Sequence, residues 1–233
     1  MTVMTNGQEV RMCEINFLCV HTKLRSKKLA PVLIREVTRR VNCENVWQAI
    51  YTAGISIPTP FGRPTYCHRN INSKKLLEVG FAVLPHGVPL SRYVRAHKIP
   101  EETQMMGLRE MTLKDVDGVK DLLNSELAKH TKVHFHWNSE EVKHFLMPQQ
   151  NVVYSYVVEE NNEITDMFSF YLLPSSILKD NPSHHKTLNA AYSYYNVSKS
   201  GRIIEGISNM LVLAQKEGFD VFNCLDLAQN DRE

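Results

Sequence analysis

From Arg11 to Val20 the apolar residues Cys13, Ile15, Phe17 and Cys19 share one parity, with Glu14 and Asn16 on the other, and Phe17 to Val20 is apolar on both. This predicts a strand with one buried face that becomes buried on both sides at its end. Pro31 fits the first turn of a following helix. Leu29, Val32, Leu33, Val37 and Val41 recur at helical spacing there, with Arg35, Glu36, Arg39 and Arg40 opposite. Val46 to Thr52 reads as a second strand, and Asn70 to Val79 as a short helix with Asn72 or Ser73 near its start. Leu108 to Met111 is a short strand. Thr112 and Asp115 have capping-box spacing, with Asp in place of Glu or Gln, before a helix carrying Val116, Val119, Leu123 and Leu127. Asn138 and Ser139 open another short helix, ended by Pro148. Val152 to Val158 and Ile164 to Leu173 form a hairpin around Glu160-Asn161-Asn162. Leu188 to Val197 is a strand, Arg202 to Glu217 a helix stopped by Gly218, and Phe219 to Leu225 a strand.

Pro85, Gly87, Pro89, Pro100 and Gly107 punctuate residues 85–107, which read as a connector. The part after it runs strand, helix, helix, hairpin, strand, helix, strand. That order resembles the front of the Gcn5-related acetyltransferase (GNAT) fold, and Arg11 to Val79 resembles its back. The expected fold is therefore α/β with mixed sheets. Residues 1–84 would end a first GNAT-like domain, and residues 108–233 would be most of a second.

Composition narrows the classes. With 43% hydrophobic and 22% charged residues, the 233-residue chain is an ordinary globular sequence rather than a disordered one. A net charge of +2 is too small for a surface-wide nucleic-acid or membrane partner, so any basic site must be local. Cys13, Cys19, Cys43, Cys67 and Cys224 are odd in number and scattered, which fits reduced thiols and a cytoplasmic location. No stretch approaches the ~18 apolar residues of a membrane span. His130, His134, His136 and His144 lack acidic or cysteine partners at matching spacing and read as loop histidines. His184-His185, beside Pro182 and Ser183, reads as an exposed loop, so no metal site is expected.

Candidate chemistry concentrates in Glu14 to Arg40, EINFLCVHTKLRSKKLAPVLIREVTRR. A strand ends beside a helix N-terminus, and the loop between them carries Lys23, Arg25, Lys27 and Lys28 with the Ser26 hydroxyl. Unpaired amides at a helix start, with basic side chains, suit a polyphosphate. Spacing alone leaves a solvated basic loop as the alternative. EINFLCVH and LRSKKLAPVLI, however, resemble the signature segment and coenzyme A loop of the glycylpeptide N-tetradecanoyltransferase (N-myristoyltransferase) family. Tyr51 to Gly54, Tyr66 to Arg69, Pro174 to Ser176, Ala190 to Val197 and Gly218 to Leu227 are similar too. Thr22 departs from the Lys usual after the motif histidine.

The resemblance implies the following roles. The Phe17 and Leu18 amides would form an oxyanion hole, and Cys19 and Val20 would continue the edge along which acyl-CoA lies. Arg25, Ser26, Lys27, Lys28, Leu29 and Ala30 would hold the coenzyme A phosphates. Asn16 and Thr52 would stand near the attacking amine. Tyr66, His68, Phe81, Tyr192 and Ser193 would line the peptide groove; strand alternation alone puts Tyr192 and Tyr194 on one face and Ser193 and Tyr195 on the other. The implied reaction is direct transfer of myristoyl from myristoyl-CoA, a co-substrate rather than a bound cofactor, to the N-terminal glycine amine of client proteins. Cys19, on what reads as a buried strand, is expected to be inert rather than a nucleophile.

In the family the proton acceptor is the enzyme's C-terminal carboxylate, reached through a glycine-rich segment and two strands. This sequence stops at Asp231-Arg232-Glu233, and Glu233 is not a substitute. The family's front is absent as well. The chain alone is therefore expected to show little or no transferase activity. A non-catalytic module binding coenzyme A and peptide is the alternative, and an acetyl-selective GNAT enzyme a third.

Overall fold

The computed structural model describes residues 1–178 and 183–227. Its contacts divide the chain into two compact units, Met1–Arg63 with Thr131–Trp137, and Pro64–His130 with Asn138–Glu233. This partition differs from the one read from punctuation, because residues 66–70 pair with residues 221–225 and so belong to the second sheet.

In the first unit β1 (Thr2–Thr5) and β2 (Gln8–Ile15) form a hairpin around Asn6-Gly7, both at positive φ (50° and 79°). Two left-handed residues in succession match the twist of the strands they join. The Asn6-Gly7 pair is the local sequence signal for this hairpin. A 3-10 turn at Thr22–Leu24 and α1 (Leu29–Cys43) then lead to β3 (Gln48–Tyr51), parallel to β2. β6 (Val133–His136) pairs antiparallel with β1 and completes the order β3-β2-β1-β6. Val3, Val46 and Trp137 are the buried apolar residues of the first unit.

Three expectations are corrected here. The strand read through Val20 stops at Ile15, because Phe17 takes φ 54° and turns the chain out of the ladder; Phe17, Leu18 and Cys19 are exposed. The apolar stripe of α1 is not buried, with Val32, Leu33 and Val37 at 55%, 41% and 41% exposure. His134 and His136 lie on β6, His130 ends α4 (Val116–His130) and His144 sits in α5 (Ser139–Leu146), so none of the four is in a loop.

The second unit is a six-stranded sheet. It comprises β4 (Tyr66–Asn70), β5 (Leu108–Glu110), β7 (Val153–Glu160), β8 (Glu163–Ser176), β9 (Thr187–Ser198) and β10 (Val221–Leu225). The order is β4-β10-β9-β8-β7-β5, antiparallel throughout except β10 with β9. Asn161 and Asn162, both left-handed, turn the β7–β8 hairpin as the sequence predicts. The helices are α2 (Ser73–Glu78), α3 (Leu90–Ala96), α4, α5 and α6 (Ile203–Lys216). Phe168, Phe170, Ala191 and Phe222 from the sheet pack with Met210 and Ala214 of α6 and with Phe219. Residues 85–107 are more than a connector: they contain α3, bury Ile99 and Met105, and the Gln104 and Met105 amides donate to Asn209 Oδ1.

Two local constraints are testable. A Cβ on Gly206 would fall 1.9 Å from Cζ of the fully buried Phe168, so α6 lies against the sheet only because this position has no side chain. Gly206→Ala gains about 1 kcal/mol of helix propensity. It should still lose about 1–3 kcal/mol net in urea unfolding, since the core must open around a large ring. Asp115 takes both guanidinium nitrogens of Arg109 (2.7 and 2.8 Å) and the Thr112 amide and hydroxyl. The Arg109 hydrogen bonds lead in holding its pKa down at about 2, from 3.8. A depressed carboxylate stabilises the fold above its unfolded pKa, and that contribution vanishes as pH falls through the folded one. Asp115→Asn should therefore cost about 2 kcal/mol at neutral pH, with the difference from the parent closing between pH ~4 and ~2.

Candidate functional site

In the first unit β2, α1 and β3 form a β-α-β unit, and the loop of residues 16–28 leaves the carboxyl end of β2 for the N-terminus of α1. Ligands in open α/β sheets bind outside the carboxyl ends of parallel strands, where amides point outward. Ile15 pairs with Tyr51, so Asn16 and Thr52 leave neighbouring strands at the same end. Asn16 and Thr52 thus stand one residue beyond a paired position, and Phe17 turns away from the ladder after Asn16. Phe17 and Leu18 are outside the ladder, and among the described residues no hydrogen bond occupies either amide. Cys19 is exposed rather than buried on a strand, so burial is not a reason for it to be inert.

The loop is shaped by local bonds. His21 Nδ1 accepts from the Lys23 amide, and Arg25 Nε donates to the Val20 carbonyl. Ser26 and Lys28 both have positive φ (65° and 54°), an uncommon pair of left-handed non-glycine residues. Lys28 is the N-cap of α1 and supplies no side-chain hydrogen bond to it. The Leu29 and Ala30 amides therefore open the helix uncapped, in a first turn that carries no acid, with Lys27 and Lys28 exposed just before them. Such a start carries partial positive charge from the helix dipole as well as the two ammonium groups.

In the second unit Tyr66 and His68 share a face of β4. Their rings stack at 6.2 Å, Tyr192 meets Tyr66 edge-on at 6.0 Å and Phe81 meets His68 edge-on at 5.6 Å. Tyr171 stacks on Tyr192 at 5.5 Å and meets Tyr194 edge-on. Burial first, then the neighbouring Tyr192 hydroxyl, pushes the Tyr66 hydroxyl above its ordinary pKa; burial, then Tyr66 and Tyr192, does so for Tyr171. Both stay neutral donors. His68 Nδ1 lies 2.6 Å from Asn223 Oδ1, its cross-strand partner. An amide oxygen only accepts, so Nδ1 is the donor in this bond, and Nε2 is left outside it. Ser193 is not brought to this cluster: it pairs with Phe170 on the other face of β9, where its Oγ accepts from Asn196 Nδ2.

Sequence reasoning missed Tyr171 and Asn223, whose places depend on strand register. It also missed the joint beneath the cluster. Asp220, 3% exposed in its side chain, takes the Lys75 ammonium at 2.6 Å and the Asn189 amide at 2.8 Å through Oδ2. Its own amide donates to the Asn189 carbonyl, and its carbonyl accepts from the Ile71 and Asn72 amides. Among the described residues one set of potential metal ligands comes together: Glu78, His184 and His185 have donor atoms within 4.8 Å of one another, with His185 Nε2 paired to Glu78 at 3.0 Å. Pro182 and Glu233 lie outside the described residues.

Family models match nearly the whole chain: the N-terminal domain of myristoyl-CoA:protein N-myristoyltransferase over residues 1–64, and its C-terminal domain over residues 78–232. The chain belongs to the N-myristoyltransferase family. Glycylpeptide N-tetradecanoyltransferase of Plasmodium falciparum is 45% identical over 225 residues, which is 97% of this chain and 54% of that protein. Glycylpeptide N-tetradecanoyltransferase 1 of Arabidopsis thaliana is 46% identical over 231 residues, 98% of this chain and 52% of that protein. Saccharomyces cerevisiae N-myristoyltransferase with bound myristoyl-CoA superposes with a TM-score of 0.93 at 37% identity, covering 98% of this chain and 59% of that one. The chain spans about half the length of the curated N-myristoyltransferase relatives it matches. Its fold is the family's mixed α/β fold. No described helix is long and apolar enough to cross a membrane.

Removing one partner of a buried ion pair leaves the other charge without compensation. Lys75→Met should cost about 3 kcal/mol in denaturant unfolding, the low end for such pairs because Asp220 keeps its amide donors. Adding Asp220→Asn should recover part of that loss. An unchanged unfolding midpoint for the single variant would show that the pair does not hold the joint.

Proposed function

We propose that this chain carries the coenzyme A loop and part of the peptide surface of a protein N-myristoyltransferase acting in the cytoplasm. The observation behind this reading is Phe17: its left-handed backbone ends β2 early and leaves two adjacent amides unpaired beside an uncapped, lysine-flanked helix start. The Lys27 and Lys28 ammonium groups, the Ser26 hydroxyl and the Leu29 and Ala30 amides would hold the coenzyme A phosphates. The thioester carbonyl would then lie against the Phe17 and Leu18 amides. When a glycine amine attacks that carbonyl, the oxygen becomes an oxyanion and takes hydrogen bonds from both amides, each worth about 3–4 kcal/mol of barrier. The C–S bond breaks, the amine nitrogen gives up one proton, and the departing thiolate takes it in net to leave as the coenzyme A thiol, with no acyl-enzyme. Asn16 and Thr52 stand near the attacking amine. Tyr66, His68, Phe81 and Tyr192 offer an aromatic surface for the client peptide. Ser193 would take part only from the opposite face of β9.

Titrating the chain with myristoyl-CoA by calorimetry tests the loop. Saturable binding, displaced by free coenzyme A and weakened about tenfold or more by Lys27→Glu with Lys28→Glu, is the expected result, with affinity falling as salt rises. Equal binding by the double variant would overturn the assignment. Incubation with a glycine-initiated peptide then separates two readings: product supports the transferase, and binding without product supports a non-catalytic module.

A further inference from the structure

Cys67 on β4 and Cys224 on β10 stand directly opposite each other in an antiparallel ladder. Opposed residues in such a ladder have Cα atoms roughly 4.5–5.5 Å apart and send their side chains to the same face. A disulfide requires Cα atoms roughly 4.4–6.8 Å apart, so the backbone already meets its main condition. The side chains interact as well. Burial is the main cause raising the Cys224 thiol pKa, a hydrogen bond with Ser193 offsets it, and the neighbouring Cys67 adds to the rise. Cys67 is exposed and Cys224 half-buried, so one sulfur is accessible to a reagent and the other is sheltered behind it. β4 is an edge strand, paired on one side only, and can take up the small approach of Cβ atoms that bond formation needs. The remaining cysteines have no such arrangement: Cys13 is opposed by Ala49, and Cys19 and Cys43 lie outside strands.

We propose that Cys67 and Cys224 form a dithiol modification site that reacts with small disulfides of the glutathione class and closes to an internal disulfide. The Cys67 thiolate attacks one sulfur of the reagent, its S–S bond breaks, and one thiol leaves. The Cys224 sulfur, after losing its proton to solvent, then displaces the second thiol from Cys67. Two protein thiols are oxidised by two electrons, and one reagent disulfide is reduced to two thiols. The product pins the edge strand that carries Tyr66 and His68. Those two side chains leave the opposite face of β4 from Cys67, so closure does not obstruct them directly.

Oxidised glutathione added to the whole chain, followed by alkylation of remaining thiols, digestion and mass spectrometry, tests this without reference to acyl transfer. The Cys67–Cys224 peptide pair should dominate every other cysteine pair by about tenfold, as expected for a preorganised second thiol. Amide hydrogen exchange along β4 should slow on oxidation. Cys224→Ser should instead leave glutathione on Cys67; if that variant does not fold, Cys67→Ser should leave Cys224 unmodified over the same time. Glutathione persisting on Cys67 in the parent chain, or pairs involving Cys13, Cys19 or Cys43 in comparable yield, would overturn the proposal.

Discussion

Asp220 is the constraint on which the second unit depends. Its carboxylate is buried, so it persists only because a cation and polar hydrogens are supplied at fixed positions. Lys75 brings the start of α2, Asn189 the start of β9, and Ile71 with Asn72 the exit of β4. One residue thus ties the end of β4 to the starts of β9 and β10. Once that register is fixed, alternation places Tyr66, His68, Asn223 and Tyr192 on a common face, and Phe222, Cys224 and Cys67 on the other. The aromatic cluster thus follows from a strand register that a polar joint holds.

The first unit achieves its effect by the opposite means, withholding partners rather than supplying them. A strand that kept pairing beyond Ile15 would spend its amides on the ladder. Phe17 adopts a conformation that costs a bulky residue energy, and Ser26 and Lys28 do likewise. Three such residues within a dozen positions mark a loop whose backbone is specified, although its side chains are nearly all exposed. The amides left over then face outward beside positive charge.

Much of this was legible in the sequence, and the exceptions have physical causes. The capping box at Thr112, the helix start at Asn138, the Asn161-Asn162 turn and the Gly218 stop are local signals, and the structure repeats them. The mixed α/β class followed from the order of elements. The end of β2 was misread because apolar residues from Phe17 to Val20 look like strand, whereas the turn depends on a backbone angle that composition does not encode. The stripe of α1 follows helical period, yet period does not say what covers it. Pairings across long separations, such as His68 with Asn223 or Lys75 with Asp220, depend on register and leave no local trace. Gly206 reads as a weak point in a helix until Phe168 is placed against it.

β6 has one further consequence. It is a four-residue strand of the first sheet that falls, in sequence, between α4 and α5, and its partner β1 begins at residue 2. On a ribosome, β1 would therefore wait for its β6 partner while residues 6–132 are synthesised. Closing so long a loop for so few hydrogen bonds makes this pairing a late event, favoured only after α4 has formed. Dividing the gene at residue 63 would consequently not yield two self-sufficient pieces, because the earlier piece would lack its outermost strand.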